Sequence, residues 1–543
     1  MLLRVFLFAV FALASYGSTV GSVVTLVGGA SDIVLDEGRN RLYLVNSSQD
    51  RVEVYSVLQR RFLSSVRTDA LPLAAAMSRD RRFLYVTCHN GASLNVIDLE
   101  RLDLRTRVSL PARPEGVAVG ADERVLITTI GTGANNAQNT FLVYDPSPSA
   151  PIPVANVLIT PPAPQPPVLP PLAGRIFLAN RSQLIATQDG SKIIGVNAFN
   201  QTQRVVFVYD VPSAAVLRSR YVGDTSTVLS VSPDGSKFMM GLRLFDTETL
   251  TVLAQMNAAN APFPLSTNLA QQGFNQVAQQ FNLQQNQGGS AFAPDGSMIF
   301  GAFNIAPIQN PPARANVTQF FVCDPDNLLI LYGLQLPENL AGKMVAASDG
   351  SAVYALSDSG FTILPLAQVQ SNPIAVPDTT AVLLANDQCG VLADLNTQNI
   401  PVRNAGRGRM TATATLLQAI GTTPAPLGGG TVQGPAIVLP PQPGAGLPGQ
   451  LPAGIGNVTS QQAQFLLSAP RVQVVNTPDG PVLRAQFNPA AGRQPGTVYH
   501  DFLVQSSEAI NIPPMVRIFQ NQRDPEAKGD ILPIPVNYSP NEG

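Results

Sequence analysis

Histidine, cysteine and tryptophan are nearly missing from this chain: 543 residues hold two histidines, three cysteines and no tryptophan. His89 and His500 lie far apart, in what read as different domains, so a multi-histidine metal centre is excluded. A Ser-His-Asp arrangement would need one of them beside a nucleophile, and no G-x-S-x-G elbow marks one. Cys88, Cys323 and Cys389 allow at most one intrachain disulfide. The core must therefore hold without staples, and the three read as small buried hydrophobes. Charge is also scarce: charged residues make up 13% of the chain, about half the usual ~25%. The formal net charge is −2, with both signs mixed, which argues against a nucleic-acid footprint or a polybasic membrane patch. Gly406 and Gly408 do not lead from a buried strand into a helix, so no dinucleotide site is expected. Asp324-Pro325-Asp326-Asn327 has too few oxygen ligands for a calcium loop and reads as a turn. No metal and no cofactor are expected.

What the chain does have is apolar residues, at 45%, with 43 glycines and 47 prolines. That is the composition of a turn-rich β protein with a large core. Arg81 to Leu99, RRFLYVTCHNGASLNVIDL, sets the pattern. Phe83–Cys88 and Leu94–Leu99 read as strands apolar on both faces, as in a sheet covered on two sides. His89 to Ser93 reads as the polar turn between them. Asp or Asp-Gly turns recur at Asp36, Asp80, Asp122, Asp189, Asp234, Asp295 and Asp349. The shortest spacings fit a four-stranded unit of ~40–45 residues. Each unit repeats an order: an apolar strand, the Asp turn, a second strand, a third often ending in Asp, and a variable fourth. The expected fold is all-β, a seven-bladed β-propeller over residues 23–376. A stacked array of sandwiches is the alternative. Val23 to Val27 is a spare apolar strand, and closure of a ring predicts that it completes the last unit.

The N-terminus has the form of a signal peptide over residues 1–17. Arg4 gives the basic start, Val5 to Leu13 is an apolar run too short to span a bilayer, and Ala12-Leu13-Ala14 has the small-x-small pattern. The expectation is a secreted, periplasmic or cell-surface protein without a transmembrane anchor after cleavage. Residues 377–543 read as an immunoglobulin-like β-sandwich region, either one sandwich with a Gly/Pro-rich insertion at 421–456 or two small ones, with a hairpin turn at Pro478-Asp479-Gly480.

Long insertions fall at two kinds of connection. Thr132–Thr140, Ala198–Arg204 and Asn304–Thr318 separate second from third strands. Thr160–Pro171 and Gln271–Gln287 separate fourth from first strands. In an up-and-down sheet both kinds emerge at one end, while the Asp turns emerge at the other. The elaborated end is the expected binding face. Its candidates are Asn135, Asn136, Gln138, Asn200 and Gln201, whose amides both donate and accept, with Arg204 and Arg314 as nearby cations. The expected partner is a protein or glycan at the cell envelope.

Leu84-Tyr85-Val86-Thr87 with Asn90 and Val96-Ile97-Asp98 resembles the YVTN-repeat family of seven-bladed propellers. Leu42-Tyr43-Leu44-Val45-Asn46 with Val52-Glu53-Val54 is a degraded second copy. The Ser-Pro-Asp-Gly-Ser turn at Ser232–Ser236, echoed by Ala293–Ser297, is common to many propellers. The resemblance implies the fold more than the activity. Some relatives are surface-layer or secreted binding proteins, and similar propellers include lactonases and quinoprotein dehydrogenase subunits. Two readings follow: a non-enzymatic binding or scaffold protein, and a lactonase-type hydrolase or dehydrogenase-like subunit. A carboxylate and arginine cluster at the channel mouth would favour the enzyme.

Overall fold

The computed structural model describes residues 19–522 apart from 131–139, 148–153, 159–180, 199–203, 223–224, 257–287, 303–318, 387–395, 419–436, 439–467, 489–496 and 507. The chain divides into two compact units, changing from one to the other between Gln368 and Val369. The boundary falls a few residues before the 376/377 expected from composition. The reason is local: Ala375–Pro377 pairs with Thr397–Asn404, inside the second unit.

The first unit is all-β. Among the described residues it holds seven antiparallel sheets, six of four strands and one of five. Sheets 1 to 7 begin with the first strands Asp32–Asp36, Pro72–Met77, Arg113–Val119, Gln183–Ala186, Leu229–Val231, Ser290–Phe292 and Leu340–Ala346. In sheets 2 to 6 four successive strands pair in chain order. Sheet 1 departs only at its rim, where the outer strand is split into Arg61–Phe62 and Val66–Arg67. Each first strand touches the first strands of the two neighbouring sheets, and that of sheet 7 touches that of sheet 1, so the sheets close a ring.

Sheet 7 carries the closure expected from the spare N-terminal strand. Its fourth strand is Ser22–Thr25, which pairs antiparallel with Gly360–Leu364 in the register Val23↔Thr362 and Val24↔Phe361. The core lies between sheets. Leu42, Leu44 and Tyr55 of sheet 1 pack with Tyr354, Leu356 and Phe361 of sheet 7. Phe141 of sheet 3 stacks on Phe207 of sheet 4, centroids 4.4 Å apart. This explains why the strands read as apolar on both faces: each face is covered by the next sheet.

The Asp turns are built alike. Ser78, Thr187 and Ser232 each donate a hydroxyl to the carboxylate two residues on, at 2.6 Å. Gly190 and Gly235 follow at φ near +70°, where a side chain would be strained. Those hydrogen bonds, with those from Ser191 and Ser236, hold the Asp189 and Asp234 carboxyls down at about 2. Because strand direction alternates, the strand ends joined by the second-to-third and fourth-to-first connections are at the end opposite these turns.

The second unit is two sheets around one core. Ala375–Pro377, Thr397–Asn404, Gly480–Gln486 and Arg471–Thr477 form an antiparallel sheet. Ala381–Asn386 runs parallel to Met515–Gln522 at the edge of a five-stranded sheet that also holds Thr497–Ser506. Ile400, Leu483 and Ala485 of the first pack with Leu384, Val504 and Ile518 of the second. The expected hairpin is present, with Thr477 paired to Gly480. Arg517 grips Asp501 through two nitrogens, at 2.8 and 2.9 Å, and lies over the Tyr499 ring.

Candidate functional site

The first strands are the edge strands of their sheets on the ring's inner side, so their outer N–H and C=O groups have no partner strand. Unpaired edge groups need other partners. At the loop-rich end these come from ions set at or just before the first strands. Asp32, 3% exposed, accepts the Ala75 N–H of sheet 2 at 2.9 Å and the Lys343 ammonium of sheet 7 at 2.9 Å. Arg181, 1% exposed, reaches from sheet 4 across to the carbonyls of Leu73, at 3.1 Å, and Ser31, at 3.0 Å. Glu115, on the first strand of sheet 3, accepts the Ser182 N–H at 3.0 Å. These groups tie sheets 7, 1, 2, 3 and 4 together at one level of the channel.

Towards the Asp turns the channel widens into a cavity of about 500 Å³. Its walls are the first strands of sheets 1, 2, 3, 4 and 7, and Val34, Ala76, Ile185 and Val345 are among the half-buried residues there. Glu37, Arg79, Arg81, Gln188 and Ser348 stand at its mouth. Most of the mouth's charge is engaged between sheets. Glu37 accepts the Ser348 N–H, Arg79 donates to the Gln188 carbonyl, and Glu123 accepts the N–H groups of Arg79 and Asp80 at 3.2 and 3.1 Å. The Arg81 carbonyl accepts from Arg39 at 2.8 Å, and Arg81 is among the residues that line the cavity.

The residues singled out from sequence are distributed differently. Asn135, Asn136, Gln138, Asn200, Gln201 and Arg314 lie outside the described residues, as does Cys389. Arg204 corrects the expectation of a loop cation: it opens the strand Arg204–Asp210, pairs with Ala198 and Val222, and is 1% exposed. His89 is placed as read from sequence, but its surroundings differ from those of an open turn. It stands in the turn as expected, yet is 2% exposed, with Nδ1 3.0 Å from the Pro114 carbonyl of the next sheet. Cys88 and Cys323 are buried free thiols, and burial pushes the Cys88 thiol up to about 12. The Asp324 carboxylate accepts the N–H groups of Asp326 and Asn327 at 2.9 and 3.1 Å, the geometry of a turn. Among the described residues no group of three or more His, Cys, Asp or Glu is placed to hold a metal, and no helix is long and apolar enough to cross a membrane. Sequence reading missed Asp32, Glu115, Arg181 and Lys343. The available signal was a lone ion at or just ahead of an apolar first strand, repeated in four units.

A closed ring of four-stranded antiparallel sheets, first strands inward around a channel, is a β-propeller arrangement, so the first unit is of that fold class. No family model matches the sequence, and no curated protein matches it. Among solved structures, the chain is similar to the hydrazine synthase of Kuenenia stuttgartiensis, at 15% identity and a TM-score of 0.44, over 64% of this chain and 98% of that one. It is also similar to the β-propeller domain of Cps50 (Swd1) from Myceliophteria thermophila, at 11% identity and a TM-score of 0.42, over 64% and 99%. The assignment of fold class rests on the strand pairing and the closed ring rather than on these likenesses.

Proposed function

We propose that the protein is an exported, seven-bladed propeller of the YVTN-repeat type that binds a protein or glycan at the cell envelope through its loop-rich end. The second unit then acts as an immunoglobulin-like spacer or attachment module. One observation carries the reading: the three longest connections of the ring, those that contain 159–180, 257–287 and 303–318, all join strands at a single end. Elaborated connections on a rigid scaffold are where recognition concentrates. The amide-rich second-to-third connections, with Asn135, Asn136, Gln138, Asn200 and Gln201, suit sugar hydroxyls or a peptide backbone. Support against the hydrolase reading comes from the channel, where Asp32, Glu115, Arg181 and Glu37 act as ties between sheets.

The test is co-sedimentation of the purified full chain with cell envelopes of its source organism, untreated or digested with protease or glycosidase. The expected result is saturable binding, lost after one of the two digestions. Shortening 132–140 and 304–318 to tight turns should abolish binding and leave the melting temperature nearly unchanged, since loop length costs little stability. Equal binding by the shortened protein would overturn the assignment of the face. Export is tested separately, by N-terminal sequencing of protein from its source, with cleavage expected near Ala14 or Gly17.

A further inference from the structure

We propose that the widened end of the channel, at the Asp-turn face, is a binding site for a small organic anion with an apolar body, such as a medium-chain carboxylate or an aromatic sulfonate. The site is distinct from the loop-rich face and does not depend on it. Its volume, about 500 Å³, lies in the range of ~300–1,000 Å³ usual for small-molecule sites. Its shape follows from residue choice. Half-buried Ala76, Ala186 and Ala346 stand on three of the five strands that line it, where small side chains leave the space open. Half-buried Val34, Ile185 and Val345 give the walls apolar surface that water covers poorly.

The sign of the ligand comes from the charges that face the space. At the mouth these are Arg79, Arg81 and Glu37, and on the floor Lys343. Lys343 is matched by Asp32 at 2.9 Å. Glu37 is turned to the Ser348 N–H and Arg79 to the Gln188 carbonyl. Among the side chains that line the space the cations Arg79, Arg81 and Lys343 outnumber the carboxylate Glu37, and Arg81, exposed at the Asp-turn end, is the cation that would meet an anionic head group. An arginine fork suits the two or three oxygens of a carboxylate or sulfonate. The apolar body would lie inward along the strands, with its head at the mouth.

The probe is anilinonaphthalene sulfonate, whose fluorescence rises in apolar sites, titrated against the folded full chain. One saturable site is expected, displaced by decanoate but not by decyltrimethylammonium. Ala76→Phe should weaken binding at least tenfold by filling the cavity. Arg81→Glu, a change at the surface that leaves the melting temperature unchanged, should weaken it at least fivefold, and Arg81→Lys should recover most of that loss. The proposal is overturned by the absence of a saturable site in the parent chain, by equal competition from the cationic amphiphile, or by Arg81→Glu binding as tightly as the parent. Because none of these readings involves the 131–139 or 303–318 connections, they stand or fall apart from envelope binding.

Discussion

Replacing Asp32 tests the idea that buried ions hold the inner ring together. Its carboxylate touches three groups: the Lys343 ammonium at 2.9 Å, the Ala75 N–H at 2.9 Å and the Ile33 N–H at 2.8 Å. Asp32→Ala strands the Ala75 amide of the neighbouring sheet, a buried donor whose orphaning costs about 1–3 kcal/mol. It also leaves Lys343 unpaired. That side chain is 26% exposed, so channel water relieves much of the penalty, and about 1 kcal/mol remains. The expected loss is about 2–4 kcal/mol in total. Asp32→Asn keeps an oxygen for Ala75 and loses only the charge, so it should cost about 1 kcal/mol. Urea unfolding followed by circular dichroism gives both values. A double-mutant cycle of Asp32→Asn with Lys343→Met should return a coupling of about 0.5–1.5 kcal/mol. The reasoning fails if the Asn variant is as damaged as the Ala variant, or if the cycle is additive within about 0.3 kcal/mol.

Deleting Val23–Val27 removes the strand that completes sheet 7 and should lower the melting temperature in calorimetry by several degrees; an unchanged value would mean that the ring does not need it. Gly195→Ala would place a Cβ 2.1 Å from the Phe207 ring and 2.7 Å from Leu184, so overpacking of about 1–3 kcal/mol is expected in denaturant unfolding. For the Asp turns the folded-state pKa lies below the unfolded value, so their stabilisation is complete above about 4 and is lost as pH falls through about 2. Asp234→Asn, which keeps the acceptor oxygen and cannot titrate, should flatten the acid limb of stability between those values; an identical acid limb in parent and variant would count against the turn's role.

The ring was legible because its signals are local. Asp turns such as Ser232–Ser236 depend on a hydroxyl, a carboxylate and a glycine within five residues, and strand order follows from their repetition. The pairing of Ser22–Thr25 with Gly360–Leu364 was legible for a different reason: an apolar strand with no other partner and a ring that must close leave one solution. The channel was harder to read. Arg181 and the carbonyls it meets, those of Ser31 and Leu73, are distant in sequence, and no spacing rule joins them. The burial of His89 and Arg204 was not legible because polar residues near a turn look the same in sequence whether they face water or the neighbouring sheet. Only the packing of the next sheet decides, and it buried both.

The closing strand has a consequence for how the chain is made. Ser22–Thr25 leaves the ribosome long before Gly360–Leu364 exists to receive it. At about 5–20 residues per second the wait is on the order of tens of seconds. During that time an apolar strand with both edges unpaired trails ahead of six sheets that can already form. Any factor that meets the nascent chain, whether a chaperone or a translocation channel, meets this segment before any of the seven sheets is complete, and the last sheet is completed only when the two ends of the ring come together.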